Sequence, residues 1–246
     1  MTDFTFRAPL ATQSGGAFVF LREEALNLGR LGVLIAIAFF ATAPLRADNI
    51  YEITPQGNRQ VIQRDAIVVH NDSAYLTYKH FDLKERRVEK VSLAKGSLPY
   101  IVEPGSADDH LRIVNLWKKF GFTVTVTDAA GKMSKVYDVY LDFYPPGGRG
   151  SLLESVPAMT SFTLLLTNGS VDEVRFDEAK SVEISGETLR ITRADGRVEE
   201  GKFLAPTSQT VETRLLGITD KYDPSSEDVF DFSVPLSRLK EIRFGR

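Results

Sequence analysis

Residues Thr123 to Lys132 read TVTVTDAAGK, and residues Thr188 to Arg197 read TLRITRADGR. Each is a run rich in β-branched residues, closed by a turn that contains glycine. Such runs fit a pleated, half-buried surface, and glycine supplies the positive φ that a tight turn needs. A second matched pair follows in the same order. Phe162 to Phe176 reads FTLLLTNGSVDEVRF, and Phe230 to Phe244 reads FDFSVPLSRLKEIRF. Glu-Val-Arg-Phe against Glu-Ile-Arg-Phe is the sharpest part of the match. Two blocks in one order predict an internal repeat, with one β module over 122–179 and a second over 180–246.

The second copy reads as strands at Glu187–Arg193, Val198–Leu204, Thr210–Thr219 and Asp228–Val234. A single helical turn, Pro235–Leu239, leads into a last strand, Lys240–Phe244. In element order alone this resembles the SH3-like barrels. The expected fold class is mainly β: tandem small SH3-like barrel modules, one short α-helix, and an N-terminal signal segment.

Upstream, Tyr51–Thr54, Ala66–Val69 and Tyr75–Tyr78 are short strand runs, with Asn71-Asp72 as a turn between the last two. They make 48–105 a β-rich first region. Lys84 to Lys90 (KERRVEK) reads as a solvated strand end or loop. A connecting helix is expected over 106–121. Ser106 and Asp109 have capping-box spacing. His110, Ile113, Val114, Trp117 and Phe120 recur at helical spacing. Lys118 and Lys119 suit the negative end of the helix dipole, and Gly121 is expected to take a left-handed cap.

Leu31 to Ala43, LGVLIAIAFFATA, carries no charge, follows Arg30 and precedes Pro44. A basic flank, an apolar run of this length and small residues after it are the parts of an export signal. Cleavage is expected after Ala47, which makes 1–47 an N-terminal extension and export signal and leaves Asp48 first. The alternative is an uncleaved membrane anchor over residues 31–45. The near-neutral flank before Arg30 suggests a start downstream of Met1, at a codon such as that of Val19. The expected location is the periplasm or the exterior.

The chain contains no cysteine, so disulfides, thiolate metal sites, Cys nucleophiles and a lipidated N-terminal Cys are excluded. A net charge of −3 argues against a broad phosphate-binding surface, and no nucleic-acid partner is expected. At 43% apolar and 26% charged, the composition is that of a folded globular chain.

The strand Val136–Tyr144 is the first candidate surface. Side chains alternate faces along a strand. Tyr137, Val139, Leu141 and Phe143 are expected on an apolar face. Asp138, Tyr140, Asp142 and Tyr144 are expected on the other, where rings and carboxylates suit a sugar or a cationic group. Pro145–Gly150 (PPGGRG) follows as a flexible connection in which Arg149 could hold an anion. Asp220, Asp223, Glu227 and Asp228 are oxygen donors of the kind that hold Ca²⁺. Their spacing lacks the ordered pattern of a calcium hand, and the bland reading is an acidic hairpin tip.

His70, His80 and His110 form no metal-pair motif, and no G-x-S-x-G is present. No cofactor is expected. The favoured function is a non-catalytic exported envelope protein that binds a partner protein or surface polymer through its β modules. A carbohydrate-binding module is the second reading. The third is an enzyme with a site between the first region and the repeats.

Overall fold

A computed structural model describes residues 47–96, 99–147 and 156–245. The apolar run Leu31–Ala43 and the candidate Arg149 lie outside the described residues. Among the described residues the protein is mainly β, with two sheets and one α-helix.

The smaller sheet holds five antiparallel strands: β1 (Asp48–Ile53), β2 (Arg59–Asn71), β3 (Tyr75–Asp82), β4 (Arg87–Ala94) and β5 (Tyr100–Glu103). Their spatial order is β4-β3-β2-β1-β5. One face buries Ile50, Ala66, Leu76 and Tyr78. The other buries Ile67 and Val88 against α1 (Ala107–Phe120). The turn after Asn71 is fastened by Asp72, whose carboxylate accepts the amides of Ala74 and Tyr75 at 2.7 Å each.

The helix starts where the capping-box spacing places it. Ser106 Oγ accepts the Asp109 amide at 3.1 Å, and the Asp109 carboxylate accepts the Ser106 amide in return. Ile113, Val114 and Trp117 are buried between the sheets, beside Ile218 and Tyr222. His110 Nε2 meets Asp48 Oδ1 at 2.9 Å. The same carboxylate accepts the amides of Val68 and Gly105 at 2.7 Å. One aspartate therefore ties β1, β2 and the helix together. Ala47, immediately before it, is 1% exposed.

Gly121 departs from expectation. Its φ is −70° and its ψ is 172°, an extended cap and not a left-handed one. Its lack of a side chain serves packing instead, as described below.

The larger sheet curls into a half-barrel. Its strands are β6 (Thr123–Asp128), β7 (Met133–Tyr144), β8 (Ser161–Leu166), β9 (Val171–Arg175), β10 (Ala179–Ser185), β11 (Thr188–Arg193), β12 (Val198–Phe203), β13 (Glu212–Ile218), β14 (Phe232–Pro235) and β15 (Leu239–Gly245). The order across the sheet is β14-β13-β7-β6-β15-β10-β11-β12-β8-β9. Strands from 122–179 and 180–246 thus interleave. They share one core, in which Val124, Phe162, Phe176, Val182, Ile191 and Ile242 are all buried.

The first matched pair has matched geometry. Asp128 N donates to Lys132 O and Gly131 N to Asp128 O. Arg193 N donates to Arg197 O and Gly196 N to Arg193 O. Gly131 and Gly196 have φ of 83° and 89°. The second pair diverges. Phe162–Phe176 is a hairpin, β8 on β9, turned at Gly169 (φ 83°). In Phe230–Phe244 the corresponding strands do not pair with each other: β14 pairs with β13, and β15 with β6 and β10. Pro235 and the 3-10 turn Leu236–Arg238 replace the Asn-Gly turn and redirect the chain.

Candidate functional site

The strand β7 carries the first candidate surface, and it is not regular. Asp138 has φ of 50°. Leu216 faces Tyr140 while Ile218 faces Tyr137, so β7 carries one residue more than β13 across this step. This is a β-bulge, and it resets the alternation. Val136 and Val139 consequently point into the same core. Tyr137 turns away from Val139 and packs with Trp117 and Ile218 in the helix-side cluster. The apolar face is therefore Val136, Val139, Leu141 and Phe143, with Val136 in the place expected for Tyr137.

Beyond the bulge, Tyr140, Asp142 and Tyr144 line a cleft of ≈ 400 Å³ between β4 and β7. Arg87, Glu89 and Lys90 from β4 form a second wall. Ala158 and the segment Asp228–Phe230 close the rest. Three of the five predicted ligand-binding residues are brought together here, with Asp228 from the predicted metal set. Asp138 is set apart behind the cleft, wholly buried.

The rings are packed. Tyr140 is 2% exposed and Tyr144 8%, and both lie with Leu216 in a cluster covered by Val229 and Phe230. Arg214 lies 5.0 Å from the Tyr144 ring centre. Faces already in contact with protein are not open stacking platforms. Burial raises the Tyr140 hydroxyl well above its ordinary value, and the carboxylates of Asp138 and Asp142 add to that. Burial also raises Tyr144, helped by Asp142. Both stay neutral at physiological pH. Asp142 Oδ1 accepts the Phe143 amide at 2.7 Å.

Arg87 is the cation of the cleft that lies beside Tyr140. Its Nη2 donates to Glu89 Oε1 at 2.8 Å, its guanidinium lies 5.8 Å from the Tyr140 ring centre, and its Nε is buried without a partner. Asp138 Oδ2 accepts the amide of Val88, the next residue, at 3.0 Å, while Oδ1 has no partner. Burial pushes the Asp138 carboxyl up to about 7; the Val88 amide and Arg87 oppose this.

The acidic segment after β13 is built around a cation from the protein itself. Lys79 on β3 is fully buried. Its ammonium donates to Tyr222 Oη (2.7 Å) and to the carbonyls of Pro224 (2.8 Å), Ser226 (2.7 Å) and Asp228 (3.4 Å). Burial lowers it to about 8, while Asp223 and Asp228 counteract this. Asp231 closes the neck of the loop by accepting from Thr219 N and Oγ1. Three of the four predicted metal ligands are engaged elsewhere. Asp223 accepts from Ser225, Asp220 meets Lys118 at 3.3 Å, and Asp228 contributes its carbonyl to the lysine. Among the described residues, no three His, Asp or Glu side chains converge as a metal site.

Sequence reasoning missed Arg87, Lys79, Tyr222 and Phe230. The mixed-charge patch Lys84–Lys90 contained Arg87, but nothing in its spacing said that one of its cations faces inward. A lysine between Tyr78 and His80, in a strand whose alternate residues are apolar, is the one local hint of a buried ammonium. The chain matches no family model, no curated protein and no solved structure.

Proposed function

We propose that the protein is a non-catalytic envelope protein that binds a partner protein or surface polymer through the cleft between β4 and β7. The observation that carries this is the convergence of Arg87, Tyr140, Asp142, Tyr144, Asp228 and Phe230 where the two sheets meet. Aromatic residues and arginine are enriched at recognition surfaces, and the cleft lining holds both. Asp142 is held by a backbone amide, which suits a fixed binding group more than a proton carrier. The apolar run Leu31–Ala43 supports export.

Small-barrel architecture supports the same reading. Taken along the chain, β6, β7, β13, β14 and β15 are five strands whose first and last lie side by side, with one 3-10 turn before the last. This order resembles the layout of SH3-like barrels with β8–β12 as an insertion, in a different set of strands from the run over 187–244 for which the sequence suggested it. Small barrels host many functions, so the cleft and not the fold carries the proposal.

The test is binding of the chain to arrays of envelope-protein peptides and of glycans, repeated with Arg87→Glu and Tyr144→Ala. Binding to peptides or polymer that both substitutions weaken at least tenfold, with folding retained, is expected. Equal binding by all three proteins overturns the role of the cleft. Glycan binding that depends on Tyr140 alone favours the carbohydrate reading.

A further inference from the structure

The junction between the sheets contains two unsatisfied groups that complement each other. Asp138 Oδ1 is a buried acceptor without a donor, and Arg87 Nε is a buried donor without an acceptor. They flank the Val88 amide, which Asp138 Oδ2 already holds at 3.0 Å. Arg87 is nonetheless paired with Glu89, at 2.8 Å, and not with Asp138. Buried polar groups are ordinarily satisfied, and two such exceptions on facing residues mark an arrangement with an alternative.

We propose that Arg87 has two partners, and that the proton on Asp138 chooses between them. With Asp138 neutral, Arg87 pairs with Glu89 and stands in the cleft wall. With Asp138 ionised, a buried charge without a counter-ion draws the guanidinium onto Oδ1, and the cleft keeps Lys90 but loses the cation beside Tyr140. The inference rests on the cleft being the binding site, and it assigns that site its regulation.

The surroundings favour a switch and not a permanent pair. Asp138 is wholly buried on a bulge with φ of 50°, so the backbone fixes where its carboxyl points. The groups facing it are Arg87 from β4, Tyr140 from its own strand and Tyr222 from the loop after β13, with Lys79 beyond Tyr222. From α1 it meets Gly121, where an added Cβ would lie 2.6 Å from Oδ1. Both tyrosines are held neutral by burial, so Arg87 is the cation that answers Asp138. Burial pushes the carboxyl up to about 7, inside the range an exported protein meets.

The experiment is an NMR titration of the ligand-free protein from pH 5 to pH 9, following the Asp138 carboxyl carbon and the Arg87 Nε–H. A shared midpoint within one unit of 7 is expected, with the Arg87 response abolished in Asp138→Asn. An Asp138 midpoint below 5 overturns the proposal, and this reading needs no variant. So does an Arg87 signal that is flat across the range, or one that titrates unchanged in Asp138→Asn. No partner is present in this measurement, so its failure leaves the binding role standing. Failure of the binding arrays leaves the titration standing.

Discussion

The Lys79 ammonium lies 2.7 Å from the Tyr222 hydroxyl and equally close to the carbonyl of Ser226. A strand of the smaller sheet thereby holds the loop that leads from β13 to β14 in the larger one. The loop's carbonyls wrap a cation supplied by the fold, and the segment Asp228–Phe230 is carried into the cleft wall.

Replacing Lys79 by Met should loosen this loop first. The substitution keeps the length of the side chain and removes the donor, leaving buried acceptors unsatisfied, at a cost of about 2 kcal/mol or more. Urea unfolding should register the loss. Amide exchange should quicken over residues 222–228 while β10–β12 remain protected.

The same lysine predicts a pH effect. Its folded value, about 8, lies below the ordinary 10.5. Between those values the unfolded chain binds the proton and the folded chain does not. The contribution of Lys79 to stability therefore rises with pH across that window and is flat below about 8. The difference between wild-type and Lys79→Met unfolding free energies, measured from pH 7 to pH 10.5, should show this slope.

Asp138 acts with the opposite sign. Its folded value, about 7, stands above the ordinary 3.8. The folded chain holds a proton that the unfolded chain has lost, so its contribution falls as pH rises from about 4 through 7. Asp138→Asn cannot ionise. It should lose little at pH 5 and gain on the wild type by about 2–4 kcal/mol at pH 8, the scale of a shift of a few units. Urea midpoints at the two pH values decide it.

Gly121→Ala should destabilise by about 2–3 kcal/mol. The new Cβ would lie 2.6 Å from Asp138 Oδ1 and 2.8 Å from its Cα, and backbone on a bulge does not give way cheaply. A thermal midpoint lower by about 4–10 °C is expected for a chain of this size. An unchanged midpoint would show that the helix end shifts freely over β7.

Arg193 is the centre of a charge cluster at the far end of the larger sheet. Its guanidinium meets Asp172 at 2.6 Å, Glu178 at 2.5 Å and Glu199 at 2.6 Å. Hydrogen bonding to Glu199 and Arg193 holds Asp172 below its usual value. Arg193→Met leaves the carboxylates facing one another, at a cost of about 2 kcal/mol at pH 7 after discounting for their partial exposure. The deficit should shrink as pH falls through the carboxylate range, because protonation removes the repulsion. Denaturation curves at pH 7 and pH 4 test this.

What was legible in the sequence was local. The capping box at Ser106, the turn at Asn71-Asp72 and the paired turns at Gly131 and Gly196 all depend on residues within a few positions of each other, and the molecule builds them where the spacing places them. The strand runs of the second copy fall close to β11–β15. Pairing across the sheet was not legible, because β15 joins strands more than a hundred residues apart in the case of β6, and no short motif encodes that choice. The candidate strand was half legible. Tyr140, Asp142 and Tyr144 share a cleft, yet the bulge at Asp138 broke the assumed alternation and took Tyr137 to another cluster. Asn or Asp is the usual non-glycine residue at positive φ, a signal that Asp138 carried and that strand periodicity overrode. Lys79 and Arg87 acquire their roles only through contacts between the sheets.

The place of β15 bears on when the protein can fold. It lies between β6 and β10 and follows every other strand of the larger sheet in the chain. Until residues 239–245 have been synthesised, the strands on either side of that seat lack the neighbour that unites them, and a partly made chain holds two separated half-sheets. The large core therefore closes only after its last strand has emerged. A ribosome feeding the chain from the N-terminus would deliver it unclosed.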